Sequence, residues 1–137
     1  MTNRVLMRSL LLSVCLAGLA ANAPPAGTKL PPEIFRTWVH SFEEDPSPEG
    51  PRPIEVFRPS TYSFPRARGR GAFEVRADGV FVSHEPGRSD RSESTTGEWE
   101  TRDAMCIVVS FPEQPRKTYI QIVSLKSEVL QVRRWQE

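Results

Sequence analysis

The amino-acid sequence predicts an all-β domain of about eight antiparallel strands, arranged as an up-and-down meander and closed into a barrel. Three observations carry this. Between residues 37 and 133 the chain divides into strand-length runs at 37–42, 54–57, 72–76, 80–83, 97–101, 105–111, 118–123 and 129–133. Each is rich in β-branched or aromatic residues, and many alternate with period two, which suits strands with one buried face. Turn formers separate the runs, and no apolar stripe is long enough for a packed helix. A meander without covering helices must hide one apolar face and two edges, and closure does both.

Ahead of the strands, residues 1–23 read as a secretory signal peptide. Arg4 and Arg8 form a positive n-region, residues 10–21 are apolar, and Ala21-Asn22-Ala23 is an A-x-A cleavage signal. Pro24 directly afterwards hinders cutting there, which leaves cleavage after Ala20 as an alternative. The apolar stretch falls short of the ~20 residues that span a bilayer, and Val14 is not the small residue a lipoprotein signal places before its cysteine. The expected location is therefore secreted or periplasmic, with no transmembrane segment after processing. Residues 24–32 hold four prolines in nine positions, which suits an extended linker. The barrel domain is then residues 33–137, and residues 32–35 form one short helical turn leading into the first strand.

Within the domain, Asp78-Gly79 marks the clearest hairpin. A two-residue turn would set Val75 opposite Val82 and leave Phe81 outside. A three-residue loop with Gly79 in the left-handed region pairs Arg76 with Val80 and Val75 with Phe81, burying Phe81 beside Phe73. The second register is preferred because it places the large aromatic inside and Glu74 and Arg76 outside. Arg102-Asp103-Ala104 and Lys126-Ser127-Glu128 read as further tight connections. Alternation places Trp38, Phe42, Val56, Phe73, Val75, Phe81, Trp99, Ile107, Val109, Ile120, Ile122, Leu130 and Val132 inside. So many large residues suit a filled core about as well as a usable cavity.

Charge bounds the partners. The 18 basic residues include Arg4 and Arg8 and the acidic total is 17, so the chain beyond residue 23 is near neutral. That argues against nucleic acid held by bulk electrostatics. Locally the balance is uneven, with seven Arg against four acidic residues between positions 58 and 91, and six acidic against two basic between 33 and 57. Either the two regions neutralise each other across the fold, or the basic one forms an anion-accepting patch at one barrel mouth. Arg66-Ala67-Arg68-Gly69-Arg70-Gly71 is the segment best suited to such a patch, through guanidinium forks and glycines that admit close approach.

Catalytic and metal motifs are missing. His40 and His84 lie at no metal-ligand spacing, and His40 shares a strand face with Trp38 and Phe42, where a hydrogen-bonded core or rim histidine is the ordinary reading. The acidic loop with Glu43, Glu44, Asp45 and Glu49 does not match an EF-hand, and its prolines restrict it. There is no G-x-S-x-G elbow. Cys106 is the only cysteine beyond the signal, so no internal disulfide forms, and its apolar run points to a buried thiol. Residues 86–96 read as a polar loop of a length that often serves as a lid or partner surface.

A short barrel with a tryptophan in its first strand resembles the calycin group, which includes lipocalins, avidins and lipocalin-like bacterial domains. The resemblance rests on Phe35-Arg36-Thr37-Trp38, similar to the G-x-W opening of those families, and on the meander over residues 36–136. The chain departs from them at Arg36, where the motif has Gly, and in lacking a T-D-Y motif and a C-terminal helix. The resemblance implies a lipocalin-like barrel, with Arg133 or Arg134 packed over Trp38 as a terminal arginine is in lipocalins.

The sequence therefore leads to an exported, non-enzymatic, monomeric lipocalin-like domain that binds a small or extended ligand, anionic or amphipathic, at one mouth. Neither cofactor nor metal is expected. The ligand residues would be Arg68 and Arg70 as anion contacts, with Trp38, Phe81 and Trp99 lining the interior and His40 near them. The alternatives are a filled-barrel interaction domain acting through its loops, such as an envelope-assembly factor or inhibitor, and a small hydrolase or isomerase with a carboxylate or His40 in the barrel.

Overall fold

The computed structural model describes residues 30–89 and 91–137. The expected signal peptide and most of the expected linker lie outside the described residues. Leu30 is buried and joins the core, so the folded unit already includes the last three linker positions.

Eight strands form a closed antiparallel barrel with almost no helix. They are β1 (Thr37–His40), β2 (Glu55–Pro59), β3 (Ala72–Val75), β4 (Val80–Pro86), β5 (Ser92–Asp103), β6 (Cys106–Ser110), β7 (Thr118–Lys126) and β8 (Val129–Gln136). From β3 to β8 each strand pairs with the next as a meander. The β1–β2 hairpin sits between the two ends of that meander, with β1 beside β3 and β2 beside β8. Residues 60–71 must therefore carry the chain from β2 past β1 to β3, and none of them is buried, so they cross on the outside.

The registers follow from which side chains need burial. Val75 lies opposite Phe81, Arg76 N–H donates to Val80 O at 2.9 Å, and Gly79 has φ 90°. The three-residue loop thus places Phe81 against Phe73, ring centroids 5.5 Å apart and stacked. At the other hairpin on this end, Ser127 and Glu128 both take positive φ (46° and 66°), the geometry a two-residue turn needs to match strand twist.

The two ends of the barrel differ. At the base, the 3-10 turn Pro32–Ile34 inserts Ile34 beneath the strands, and Trp38 Nε1–H donates to Ile34 O at 3.0 Å. Trp99 closes the same end, donating from Nε1–H to Arg76 O at 2.7 Å and packing on Phe35. Trp38, Ile107, Val109, Leu130 and Val132 are fully shielded. Each such aliphatic side chain contributes roughly 1.5–3 kcal/mol relative to exposure. The opposite end, where β3, β5 and β7 begin, is the mouth.

Four expectations change. Val56 is buried but on the outer face opposite Gln131, because Phe57 takes the inward place opposite Leu130 and joins the core. Phe42 is exposed rather than inward, because β1 ends at His40 and the chain turns into the 3-10 segment Phe42–Glu44. The guanidinium over Trp38 belongs to Arg36, 5.6 Å from the ring. Arg134 instead faces Phe57 at 5.4 Å near the mouth, and Arg133 donates to Arg52 O. Finally, residues 86–96 are largely strand: β4 runs to Pro86 and β5 begins at Ser92, in continuous register. Their polarity hid the pairing, since neither face of this projecting hairpin packs on the core.

Candidate functional site

Along β4 the inward row runs Phe81, Ser83, Glu85, and along β8 it runs Leu130, Val132, Arg134, Gln136. Each row turns from apolar to polar as it approaches the mouth. The change leaves a cavity of about 260 Å³. Phe73, Phe81, Phe111 and Ile120 form its apolar floor, and Ser83, Glu85, Thr95, Gln114, Thr118, Arg134 and Gln136 its polar wall. The volume is just under the ~300 Å³ at which pockets for drug-sized molecules begin. It suits a fragment or a single large side chain.

The wall is anchored by an ion pair. Arg134 Nε and Nη2 each donate to one carboxylate oxygen of Glu55 at 2.6 Å, joining β8 to β2 in a bidentate fork. Burial works against the Arg134 charge, yet the hydrogen bonds and charge of Glu55 outweigh it and raise the arginine pKa. Glu85 accepts from Ser83 Oγ at 3.3 Å and makes no ion pair among the described residues. Directly across the ladder from Glu85, on the same face, stands Glu93. Of the two charged residues that line the cavity, Arg134 is paired with Glu55 and Glu85 has no cationic partner within ion-pair distance among the described residues.

The sequence-derived residues separate into three places. Phe81 lines the cavity. Trp38 and Trp99 point inward at the base, away from the mouth cavity; their indole N–H groups are both used by backbone carbonyls, and Trp38 borders a hollow of about 350 Å³ with Arg36 and Glu128. His40 lies at the rim, stacked on Phe57 at 5.0 Å, with Nε2 2.8 Å from Asp45 Oδ2. Asp45 Oδ1 in turn accepts from Val56 N–H, so this histidine ties the β1–β2 loop to the barrel.

Arg68 and Arg70 border a second, surface hollow of about 340 Å³, together with Pro86, Gly87 and Arg91 on the outer side of the β4–β5 tip. Arg70 is committed. Its guanidinium lies between the rings of Phe42 and Phe64, at 4.5 and 4.9 Å, and forks onto Glu43. It also donates to the carbonyls of His40 and Pro65. Arg58 forks likewise onto Glu44, whose carboxyl its hydrogen bonds hold down at about 2 against partial burial. The acidic loop is thus neutralised by Arg70 and Arg58: Glu43–Arg70 fastens the outer crossover to the β1–β2 loop, and Glu44–Arg58 fastens that loop to β2.

Sequence reasoning missed Glu85, Arg134, Glu55 and Thr95. The signal was present: continuing the period-two inward rows past Phe81 and Val132 lands on Glu85 and Arg134. The apolar runs ended too early to suggest it.

Comparison with known proteins identifies no relative. No known protein family matches the chain, and neither the curated proteins nor the solved structures contain a significant match. The fold and the mouth are therefore what the functional reading stands on.

Proposed function

We infer that this is an exported, non-enzymatic binding domain that takes a small or extended ligand at the barrel mouth. One observation carries the reading: the inward rows switch from apolar to polar within the barrel, leaving an open cavity with a fixed Glu55–Arg134 fork on its wall. A barrel serving only as a scaffold has no need to place Glu85, Thr95, Thr118 and Gln136 inside. The apolar signal at residues 1–23 supports export. Because the mouth holds Glu85 and Glu93 beyond the neutral Glu55–Arg134 pair, an amphipathic ligand with a cationic group suits it better than an anionic one.

A second reading, an interaction domain acting through its loops, is favoured by the dense burial of Trp38, Trp99 and Ile34 at the base.

Native mass spectrometry of protein purified from its own host separates these. A ligand-binding barrel carries a mass adduct that denaturation releases and that Thr118→Trp, which fills the cavity, removes. Protein without an adduct, whose thermal midpoint is unmoved by a panel of amphipathic amines, would overturn the ligand reading.

A further inference from the structure

β5 is twice covered over only half its length. Its bridges to β6 begin at Glu98, opposite Ser110, whereas its bridges to β4 continue to Ser92. β6 stops because Phe111 is followed by Pro112, and Pro115 follows soon after, each lacking the N–H a ladder requires. The residues from Ser92 to Thr96 are all exposed. Hydrogen-bond phase shows which groups are left over. Gly87 N–H donates to Arg91 O and Trp99 N–H donates to Gly79 O, so odd-numbered residues of β5 bond to β4. The N–H and C=O groups of Ser92, Ser94 and Thr96 therefore point away from β4, into the gap above β6.

The one charged side chain on this edge is Glu93. The edge has no proline, no lysine and no register shift against β4. It also borders the cavity: Thr95 on one side of the gap, and Phe111, Gln114 and Thr118 on the other, all line it. A strand laid on the edge would send alternate side chains inward, beside Glu93 and Thr95. Glu93 and Glu85, directly opposite each other, are a like-charge pair that a cation would relieve.

We propose that the ligand is an extended peptide with a basic side chain, adding as a strand to the free edge of β5 and seating that side chain beside Glu85 and Glu93 at the cavity. This rests on the mouth-binding reading above and names its ligand class. A second copy of this chain fits less well, because edge-to-edge pairing would bring four of these carboxylates together on one ribbon. The cavity volume, small for a free ligand but ample for one side chain, agrees with a peptide whose main chain supplies the remaining contacts.

The test is fluorescence anisotropy with a labelled peptide alternating lysine and threonine, compared with the same peptide carrying glutamate for lysine. The lysine peptide should bind at least about tenfold more tightly, and N-methylation of its bonding amides should abolish binding. Ser94→Pro removes an outward N–H and leaves the β4 ladder intact, so it should lose binding while keeping its thermal midpoint near that of the parent. Glu93→Lys, which leaves the backbone alone, should reverse the preference between the two peptides. Equal binding of both peptides, or binding indifferent to N-methylation, would overturn the proposal. So would a dimer by ultracentrifugation that Ser94→Pro dissolves, since the edge would then belong to a second copy. If the lysine peptide fails to bind while host-purified protein carries an adduct lost in Thr118→Trp, the strand-addition proposal fails and mouth binding stands. If both fail, both are wrong.

Discussion

Glu55 and Arg134 face each other across the β2–β8 seam, with both carboxylate oxygens 2.6 Å from guanidinium nitrogens. The two lie diagonally, because Glu55 is directly opposite Val132. The fork therefore holds the seam at the mouth, where the apolar core has ended. Arg134→Met alone should cost about 2 kcal/mol by leaving Glu55 partly buried without its partner. The double change with Glu55→Met should cost less than the two single changes summed, and urea unfolding of all four proteins measures the coupling.

Acid should find Glu44 before the core. Its carboxyl is held at about 2 in the folded chain, against an ordinary value of 4.5. A depressed folded pKa gives stability that is present above 4.5 and is lost as pH falls toward 2. Its side chain is 34% exposed, so screening limits the contribution to about 1 kcal/mol. Thermal midpoints of parent and Glu44→Gln should differ most near neutral pH and converge as pH falls to about 2.

Gly97 sits where β6 leaves β5. A Cβ there would lie 2.5 Å from Ser110 O and 2.8 Å from Phe111 Cδ1, closer than real side chains approach. Gly97→Ala should destabilise the barrel by about 2 kcal/mol or more, since the obstructing atom is backbone. Hydrogen exchange should locate the loosening at the β5–β6 ladder.

The β7–β8 turn offers the opposite sign. Ser127 and Glu128 hold left-handed conformations that Asn and Gly adopt with far less strain. Ser127→Asn with Glu128→Gly should raise stability by about 1 kcal/mol. Losing the exposed 3.9 Å contact from Glu128 to Arg36 should subtract little. Denaturant midpoints check this directly.

Much of the barrel was legible because burial enforces alternation. Phe73, Val75 and Phe81 could satisfy period two in only one register, and that is the register observed. Phe42 misled because its strand face continued past the point where Ser41 and Glu44 close a 3-10 turn. The upper half of β5 was illegible for a different reason: Ser92 to Thr96 are polar and exposed, so no hydrophobic pattern marks them. The place of the first hairpin was also hidden, since strand neighbours far apart in sequence leave no local trace. Of the mouth, Phe81 was foreseen by its bulk. Glu85 and Arg134 were not, because a charged residue inside a barrel contradicts the pattern by which inward positions are found.

The insertion of the first hairpin makes it a keystone. Without β1 and β2 the remaining six strands would be an open sheet with β3 and β8 as bare margins, and one hairpin seals both at once. Closure joins Thr37 to Glu74 on one flank and Glu55 to Val132 on the other, so the ring cannot be completed until the last strand exists. As the chain leaves a ribosome, β1 has both its neighbours, β2 and β3, once Val75 is made, but β2 waits for β8, so the β2–β8 seam is the last to be locked.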